Sequence, residues 1–564
     1  MSQTQRLIAD HINIWTSAQA EKKSGRGRSS NNVGNIFGIQ KMRELILELA
    51  VQGRLASNNL NEKSSIEESM EIHKEIPFKL PKNWKWVCLP DITKYKVGKT
   101  PSTKNSSYWT GSNNGYSWVS IADLIHGGTI SKTSKKVTEL AQKEVFKSIP
   151  IEAGTILMSF KLTIGKVSIL EVPAYHNEAI ISIYPSKFIN KDFLFKILPA
   201  RAKAGISKNA IKGNTLNSKS LAKLLIPLPP LPEQLRIVSK VNELMVLCDQ
   251  LEQKYINSNQ IHKKLLKLLL DSLAKYTDAN KFKDTYQLIY SHFDILFTTE
   301  ESVCDLKKTL VDLAIMGKLT PQNHKEEPAS ELIKKIQNRK NKFIEERKIK
   351  KEKLSKHITE NEKLFKLPKG WEWTRLNNFS EIKGGKRLPA GETFSTKKTP
   401  YIYIQVTNMK NDEIVDENLK YISLETYNKI KQYTISSEDL YITIAGTIGD
   451  VGSVPDRFNG MNLTENAAKI VFHDVNKEWL IYSLKSSWSK NQFLDKSVKV
   501  AQPKLGLHKI STLIIALPPL KEQQRIVSNL KELMSLCDVL QSHIQQASMQ
   551  QKQIADVLIS QALN

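Results

Sequence analysis

The segment LPPLPEQLRIVSKVNELMVLCDQLE, residues 228–252, decides the architecture because it occurs twice. Residues 517–541 read LPPLKEQQRIVSNLKELMSLCDVLQ, and 17 of the 25 aligned positions are identical. Two prolines followed by a Glu-Gln pair predict a helix start, since proline presets the backbone of a first turn and an acidic residue suits the positive helix terminus. The copies lie 289 residues apart, so the chain carries one helix-forming plan twice.

Apolar residues follow both helix starts at steps of three and four residues, which is the spacing of a helix seam. About forty residues of helix would span about 60 Å. The simplest partner for each seam is the other copy, and ordinary core helices of a bundle are the alternative. The seam positions are Ile237, Val241, Leu244, Cys248, Leu251, Tyr255, Ser258, His262, Leu265 and Leu269 in the first copy, and Ile526, Leu530, Leu533, Cys537, Leu540, Ile544, Ala547, Gln551, Ile554 and Leu558 in the second.

Weaker repeats run in the same order along the chain, which therefore reads as a circle opened at one point. Joining Asn564 to Met1 would recreate a second copy of the central segment. This order predicts a pseudo-twofold molecule whose two ends lie close together. The repeated blocks are residues 45–55 with 309–319, FKLPKNWKW at 78–86 with FKLPKGWEW at 365–373, and LTIGKV at 162–167 with GTIGDV at 446–451.

Between the helical blocks lie two segments whose short apolar alternations predict strands joined by turns. Their strand frames correspond, since Trp118-Val-Ser-Ile aligns with Tyr403-Ile-Gln-Val, but the residues between the frames differ. We predict an α+β protein with two mixed α/β domains separated by two long helical regions. The predicted parts are an N-terminal helical region at 1–77, a first domain at 78–227, a central helical spacer at 228–364 that contains a basic extension at 331–356, a second domain at 365–516 and a C-terminal helix at 517–564.

The charge balance predicts a polyanionic partner. Lys and Arg number 83 against 57 Asp and Glu, giving a formal net charge of +26, which favours nucleic acid first and an anionic membrane second. Four cysteines lie far apart without metal-binding spacing, as is usual in a reducing cytoplasm. The N-terminus does not resemble a signal peptide, and the sequence has no apolar run of about 20 residues, so we predict a cytoplasmic protein without a membrane partner.

Candidate DNA contacts are residues that combine positive charge with groups able to pair with base edges. Lys and Arg neutralise phosphates, while Arg, Asn and Gln bond bidentately with guanine or adenine in the major groove. Solvated loop residues are the alternative for about half of them. Tyr108 and Trp109 lie beside the first group, whereas Trp84, Trp86, Trp371 and Trp373 are predicted to be core. The candidates are Lys99, Ser102, Lys104, Asn105, Lys161, Lys208, Asn209 and Lys212 in the first domain, and Lys386, Arg387, Gln405, Asn408, Lys410, Lys499, Gln502 and Lys504 in the second.

Motifs that would support catalysis are missing from the sequence. Gly98-Lys99-Thr100 resembles the end of a phosphate-binding loop, but Thr93 stands where the first glycine belongs. The glycines of residues 446–452 have the wrong spacing for a dinucleotide site and predict a tight turn. We therefore predict no catalytic residue, bound cofactor or metal in this chain, although scattered acidic residues could still assemble a magnesium site.

Two divergent basic domains alternating with two near-identical helical segments resemble the specificity subunit of Type I restriction–modification systems. LPPLPEQLRIV at 228–238 and LPPLKEQQRIV at 517–527 carry the resemblance, together with DLAIMGKL and FKLPKGWEW, and it covers essentially the whole chain. The resemblance implies that the two domains are target recognition domains, each reading half of an asymmetric bipartite site in double-stranded DNA. It also implies that the long helices form an antiparallel coiled-coil spacer.

The same resemblance implies partners that carry out the chemistry. Two methyltransferase subunits would dock on the helices, bind S-adenosylmethionine and methylate adenine N6. Restriction subunits would use ATP and Mg to translocate and cleave DNA. Two rival hypotheses are a self-contained DNA-acting enzyme with a dispersed acidic metal site, and a coiled-coil scaffold whose basic surface is incidental.

Overall fold

The computed structural model describes residues 10–17, 36–63, 66, 76–112, 114–161, 163–204, 218–275, 279–345, 357–496 and 504–563. The chain divides into two compact units, Met1–Asn259 with Ala547–Asn564, and Gln260–Gln546. Both units combine sheets with helices, which confirms the mixed α/β class. The predicted five-part division remains a prediction.

The described residues of the first unit form three sheets. In the five-stranded sheet the order is β2-β10-β7-β8-β5, in the four-stranded sheet it is β3-β6-β4-β9, and β1 pairs with β11. Pairs β4–β9 and β5–β8 are parallel, whereas the other pairs are antiparallel. The elements are α1 Ile12–Ser17, α2 Phe37–Val51, β1 Lys85–Cys88, α3 Leu89–Ile92, β2 Thr93–Val97, β3 Trp109–Thr110, β4 Tyr116–Val119, β5 Gly128–Ile130, β6 Lys135–Val137, α4 Glu139–Ala141, β7 Ile156–Ser159, β8 Val167–Leu170, β9 Ala174–His176, β10 Ile180–Pro185, α5 Lys191–Ala204, α6 Ser218–Ala222, β11 Leu225–Leu228 and the first part of α7 Leu231–Lys275.

The second unit repeats this plan. Its sheets have the orders β13-β22-β19-β20-β16-β15 and β17-β14-β21-β18, and β12 pairs with β23. The parallel pairs β14–β21 and β16–β20 stand where β4–β9 and β5–β8 stand in the first unit. The elements after α7 are α8 Ala279–Ser291, α9 Phe293–Leu296, α10 Glu300–Ile315, α11 Ala329–Glu345, β12 Glu372–Arg375, β13 Ser380–Gly384, β14 Ile402–Ile404, β15 Met409–Lys410, β16 Glu413–Ile414, β17 Lys420–Tyr421, α12 Leu424–Ile430, β18 Thr434–Ile435, β19 Leu440–Thr443, β20 Val451–Ser453, β21 Met461–Leu463, β22 Ala467–Phe472, α13 Lys477–Lys485, α14 Ser487–Lys496, α15 Leu507–Ser511, β23 Ile514–Leu517 and α16 Leu520–Leu563.

The glycine-containing block at 446–451 forms a tight turn between paired strands, as predicted, and residues 163–167 of the first unit form a similar turn. Lys166 donates its backbone N–H to Ser159 Oγ at 3.1 Å, and Asp450 does the same to Thr443 Oγ1 at 3.0 Å. Gly449 has a φ of +87°, and a Cβ there would lie 2.7 Å from the Phe493 ring. The turn therefore needs glycine for its backbone and its packing, and neither feature involves a nucleotide.

The two repeated helices have the predicted length, 45 residues in α7 and 44 in α16, but their buried faces drift away from the predicted seam. Leu265 and Ile554 are exposed, and the neighbouring Leu266 and Ala555 are buried instead. The buried residues Cys248 and Leu266 are 18 residues apart, and so are Cys537 and Ala555. Eighteen residues are five turns of a straight helix at 3.6 residues per turn, whereas the predicted seam assumed a 3.5-residue repeat.

The repeated blocks of each unit meet at one junction. In the first unit Gly53 follows the end of α2 with a φ of +71°, and a Cβ there would lie 2.7 Å from Pro81 and 3.0 Å from Trp84. In the second unit the corresponding Gly317 has a φ of +69°, and a Cβ would lie 2.5 Å from Pro368 and 3.0 Å from Trp371. Block 45–55 thus packs against block 78–86, and block 309–319 packs against block 365–373 in the same way. The two blocks therefore recur together.

The Glu-Gln pair of the repeated motif is buried at this junction. Gln234 accepts from the Asn190 backbone N–H at 2.6 Å and donates to the Pro229 carbonyl at 2.9 Å. Gln523 likewise accepts from the Asn476 N–H at 2.8 Å and donates to the Pro518 carbonyl at 3.0 Å. Each glutamine thus ties a helix start in the α/β domain to the start of a long helix.

The motif arginine adds an ion pair near the start of each long helix. Arg236 bonds bidentately with Glu62 at 2.8 and 2.9 Å, and Arg525 bonds with both carboxylate oxygens of Glu326. The repeated PPLxEQxRIV motif therefore fixes the α/β domain on the long helix, and its Gln and Arg side chains bond within the unit.

Short helices hold the long ones within each unit. Arg43 of α2 pairs with Asp249 and Glu252 of α7 at 2.6 Å, and Lys41 pairs with Asp556 of α16 at 3.2 Å. In the second unit Lys307 of α10 pairs with Asp538 of α16 at 2.5 Å, and Glu301 pairs with Lys263 of α7 at 2.6 Å. In both units one short helix therefore contacts the early part of one long helix and the late part of the other.

The C-terminal residues of α16 pack against α2 and Arg54 within the first unit, and the closeness of the two chain ends themselves stays a prediction. Arg54 donates to the carbonyl of Leu563 at 3.1 Å, and Leu45 and Leu49 form a buried cluster with Ala562. The first nine residues and Asn564 lie outside the described residues.

Candidate nucleic-acid interface

A glycine-lysine pair begins the candidate site of the first unit. Directly after β2, Gly98 donates its N–H to the Ile180 carbonyl at 3.2 Å, and Lys99 donates to the His176 carbonyl at 2.9 Å. A Cβ on Gly98 would lie 2.1 Å from the His176 oxygen. The loop at 98–100 can therefore lie against the loop at 176–179 only because residue 98 is glycine.

The second unit builds the same loop pair after β13. Gly385 donates to the Ala467 carbonyl at 3.0 Å, and Lys386 donates to the Leu463 carbonyl at 2.9 Å. A Cβ on Gly385 would lie 2.1 Å from the Thr464 oxygen. These backbone bonds make Lys386 the counterpart of Lys99 and Arg387 the counterpart of Thr100.

An aromatic side chain donates a hydrogen bond to each loop, and the two aromatic residues are the ones that the strand frames align. Trp118 donates its indole N–H to the Lys99 carbonyl at 3.1 Å, and Tyr403 donates its hydroxyl to the Lys386 carbonyl at 2.7 Å. Burial raises the pKa of Tyr403 to about 12, so it remains a hydroxyl donor at neutral pH. The same backbone position is thus held by different side chains in the two domains.

Each loop pair also contains a glutamate that the sequence analysis missed. Thr100 Oγ1 donates to the Glu178 carboxylate in the first unit, and Arg387 Nε donates to Glu465 Oε1 at 2.8 Å in the second. Burial raises the pKa of Glu465, but the hydrogen bonds from Arg387, Thr464 and Tyr403 together lower it below its usual value. Each domain therefore combines an acceptor with positive charge. Aligning HNEAI at 176–180 with LTENA at 463–467 would have found both glutamates.

Two further predicted lysines belong to this cluster of loops. Phe160, beside Lys161, donates its backbone N–H to the Ala179 carbonyl at 3.0 Å. In the second unit Lys504 is exposed, and its Nζ donates to the Glu465 carbonyl at 3.2 Å. The structure thus brings together Lys99 and Lys161 in one unit, and Lys386, Arg387 and Lys504 in the other.

The remaining described candidates of the first domain follow the loop on an exposed segment. Ser102, Lys104 and Asn105 are exposed, but Asn105 Oδ1 accepts from the Ser107 backbone N–H at 3.1 Å and from the Ser107 hydroxyl at 2.7 Å. Asn105 therefore already caps a helical turn with its side-chain oxygen.

In the second domain the structure corrects one candidate. Asn408 is fully buried, accepts from the Gln405 N–H at 2.9 Å and donates to the Glu417 carbonyl at 2.6 Å. The Asn408 side chain therefore stabilises this turn. Because it is buried, it cannot contact a base edge, and the prediction for Asn408 is wrong. Gln405 is half-buried at the same turn, and exposed Lys410 pairs with Glu417. Lys208, Asn209, Lys212, Lys499 and Gln502 lie outside the described residues.

The predicted core tryptophans lie where expected. Trp84, Trp86 and Trp371 are buried, and Trp373 is partly buried against the core of the second unit. Among the residues that the structure describes, no group of three or more His, Cys, Asp or Glu side chains could hold a metal ion. In the same part of the chain, no helix is both long enough and apolar enough to cross a membrane.

Comparison with known proteins matches both halves of the chain to one family. The model described as Type I restriction modification DNA specificity domain matches residues 81–261 and again residues 368–547, together more than half of the chain. The Type I restriction enzyme EcoEI specificity subunit of Escherichia coli is 28% identical over 603 residues, covering 99% of this chain and 100% of that protein. The EcoAI specificity subunit of Escherichia coli is 29% identical over 613 residues, with the same coverage. A solved structure from a study of complex assembly in the type I R-M system covers 86% of this chain and 99% of its own, at 17% identity and a TM-score of 0.45.

Proposed function

This chain belongs to the Type I restriction–modification DNA specificity family, and from that membership we propose that each unit reads one half of an asymmetric bipartite site in double-stranded DNA. The chain is the DNA-recognition subunit and carries no catalysis of its own. In this proposal residues 78–227 and 365–516 are the two target recognition domains. The long helices form an antiparallel coiled-coil spacer that fixes the length of the unread gap.

The observation that carries the proposal is one loop frame with two sets of side chains. Thr100 and Arg387 occupy the same position in this frame, as do Trp118 and Tyr403. Lys161 corresponds to Ala445, because Phe160 and Ile444 make the same backbone bond to the neighbouring loop. The two domains share one backbone arrangement of these loops but present different side chains, as expected if they recognise different base sequences.

Positive charge supports DNA as the ligand. Lys99, Lys386 and Arg387 are exposed at these loops, and the whole chain has a formal net charge of +26. Lysines at such positions would neutralise phosphates and position the duplex, while the more specific side chains contact base edges. Because the ligand is DNA and the four cysteines are free thiols in the structure, we place the protein in the cytoplasm.

Matching exposed apolar residues support two equivalent docking sites for partner subunits. Leu265 and Leu268 in the second unit correspond to Ile554 and Val557 in the first, and all four are exposed on the long helices. A surface that occurs twice suits two copies of the same partner, which we propose are the methyltransferase subunits. Restriction subunits complete the complex. S-adenosylmethionine would belong to the methyltransferase partner, and ATP with Mg to the restriction partner.

Exchanging one domain tests the proposal. Residues 78–227 would be replaced by the corresponding segment of the EcoEI specificity subunit, and the methylated motif would be read by single-molecule sequencing of cellular DNA. We expect one half of the motif to change completely, while the other half and its methyladenine stay the same. Exchanging residues 365–516 should change the opposite half.

Each rival hypothesis predicts a different outcome. A scaffold with an incidental basic surface predicts an unchanged motif after either exchange. A self-contained enzyme predicts that the purified chain alone cleaves DNA in the presence of magnesium. Either result would contradict the role of a two-domain reader.

A further inference from the structure

Arg387 is both highly exposed and fixed in orientation. Its side chain retains 80% of its exposure, and its Nε donates to Glu465 Oε1 at 2.8 Å. An exposed arginine ordinarily has many rotamers, and a charge-assisted bond through Nε removes much of that freedom. The guanidinium group therefore extends from the loop in a defined direction.

The Glu465 carboxylate that bonds to Arg387 is itself fixed by further hydrogen bonds. Glu465 Oε2 accepts from Tyr403 Oη at 3.2 Å and from Thr464 Oγ1 at 3.1 Å, and the Glu465 side chain is only 24% exposed. Tyr403 is buried, and its single hydroxyl proton is shared between Glu465 and the Lys386 carbonyl, which is the nearer acceptor at 2.7 Å. The orientation of Arg387 is thus connected to the core of the second domain through two residues.

The bond through Nε leaves the outer edge of the guanidinium group available. Among the described residues, no group accepts from Arg387 Nη1 or Nη2. Two parallel N–H donors on that edge match guanine O6 and N7, the acceptor pair that guanine presents in the major groove. Adenine offers N7 beside an amino donor, so it cannot accept both bonds.

Charge favours a base over a phosphate as the target. A phosphate contact needs positive charge, which Lys386 and Lys504 already supply beside Arg387. Glu465 neutralises Arg387 and would repel a phosphate close to the pair. A neutral pair that still presents two oriented donors suits a base edge.

The first domain lacks this arrangement although it has the same frame. Thr100 replaces the arginine and donates to Glu178, the counterpart of Glu465. Threonine cannot present two parallel N–H donors. At this position of the loop frame, the arginine–glutamate pair is therefore present in the second domain and absent from the first.

We infer that Arg387 reads a guanine in the half-site of the second domain and that Glu465 is the residue that positions it. This inference rests on the proposed function and deepens it by naming one base and one contact. It requires that the half-site read by residues 365–516 contain a guanine whose O6 and N7 face the loop at 385–387.

The first test compares methylated motifs in cells that carry the complete complex with wild-type chain, Arg387→Ala or Arg387→Lys. In both variants we expect one motif position that is guanine in the second half-site to accept other bases, while the other half-site is unchanged. Lysine keeps the charge but loses the two parallel donors, so a simple phosphate contact would leave Arg387→Lys like the wild type.

Arg457→Lys is the matched control. Arg457 bonds through Nε to Asp416 at 2.8 Å and is about half exposed, so it reproduces the arginine–carboxylate pair. It contacts β16 through the Ile414 carbonyl, and β16 lies four strands from β13 in the sheet, about 19 Å at 4.8 Å per strand. We expect this variant to methylate the wild-type motif.

The second test measures affinity and remains informative if an Arg387 variant loses all methylation. The purified wild-type complex would be titrated with its cognate duplex and with duplexes that carry 7-deazaguanine or adenine at each guanine of the second half-site in turn. Loss of a good bidentate pair should weaken binding roughly 5- to 150-fold at one position. The Arg387→Ala complex should bind the normal and 7-deaza duplexes equally at that position.

Glu465→Gln tests the positioning role. The ratio of affinities for guanine and adenine duplexes should fall in this variant, because the neutral amide orients Arg387 less firmly. If Glu465 is purely structural, Glu465→Gln should weaken binding to the guanine and adenine duplexes by the same factor and leave the ratio of affinities unchanged.

Distinct outcomes overturn the inference and the proposed function. A bipartite motif without guanine in its second half, an unchanged motif in Arg387→Ala, or equal wild-type binding to all the 7-deaza duplexes would overturn the role of Arg387 alone. Absence of any bipartite motif that depends on this chain would instead overturn the proposed function.

Discussion

Gly98→Ala and Gly385→Ala are each expected to abolish recognition of one half-site. An added Cβ would lie 2.1 Å from a backbone carbonyl oxygen in both cases, that of His176 or that of Thr464. The backbone cannot yield as the end of a long side chain could, so the two loops of the cluster must separate. We expect affinity for the cognate duplex to fall about 1,000-fold, towards the level of non-specific binding.

Two matched glycines provide controls for these variants. A Cβ on Gly111 in the first domain meets nothing within 4 Å, and one on Gly506 in the second lies 3.9 Å from the nearest atom, Lys509 Cγ. Gly111→Ala and Gly506→Ala should therefore bind cognate DNA like the wild type. Wild-type affinity in Gly98→Ala would mean that the loop pair at 98–100 and 176–179 is not part of the DNA interface, and an equal loss in Gly111→Ala would mean that the close approach at residue 98 is not the cause.

Glu522→Lys is expected to destabilise the second unit by about 3–5 kcal/mol. Glu522 is 1% exposed, and its carboxylate accepts from Trp371 Nε1 at 3.0 Å and from Thr320 Oγ1 at 3.3 Å. A lysine there would place a second positive charge near Arg525 and leave the Trp371 indole without its acceptor. Thermal or denaturant unfolding of the assembled complex should show this loss, and Lys521→Ala, at the exposed neighbouring position, should show little change.

Glu522→Gln separates the loss of the acceptor from the effect of charge. Burial raises the pKa of Glu522 above its unfolded-state value. The protonated side chain therefore contributes to the free energy of unfolding in full below the unfolded-state pKa, and this contribution is lost as the pH rises through the folded-state pKa. Glutamine keeps an acceptor for Trp371 without titrating. The free energy of unfolding of Glu522→Gln minus that of the wild type should therefore increase across this window, and a constant difference would contradict the buried-carboxylate account.

The sequence predicted the repeated architecture because identical blocks pack against identical blocks. It correctly indicated two long helices after the proline pairs and two related domains between them. It did not indicate why the blocks recur. Gln234 and Gln523 join the domains to the helices through backbone atoms of distant residues, and such bonds leave no local periodicity in the sequence.

The helix seam illustrates a limit of heptad counting. A 3.5-residue repeat fitted the pattern up to Cys248 and Cys537, but the long helices bury residues at a spacing of 18 beyond those points. Because a straight helix drifts by about 20° per heptad relative to a 3.5-residue repeat, the error grows along its length. Leu265 and Ile554 were therefore placed on the wrong face, whereas Ile237 and Ile526 were placed correctly.

The candidate DNA contacts could be selected by residue type but not ranked. Asn408 and Arg387 were both selected for their residue type, yet the Asn408 side chain bonds within a turn and Arg387 is oriented by Glu465. That difference depends on residues 9 and 78 positions away, respectively. Glu465 was not among the candidates because they were chosen for positive charge or for amide and hydroxyl groups, and a carboxylate that orients an arginine has none of these.

The most direct test of the central claim is single-molecule sequencing of DNA from cells that carry this chain with its methyltransferase subunit. Two readers on one chain predict a gapped motif of two unlike halves, with methyladenine in each half, that disappears when the chain is deleted. A methylation pattern that persists unchanged without the chain would contradict the account.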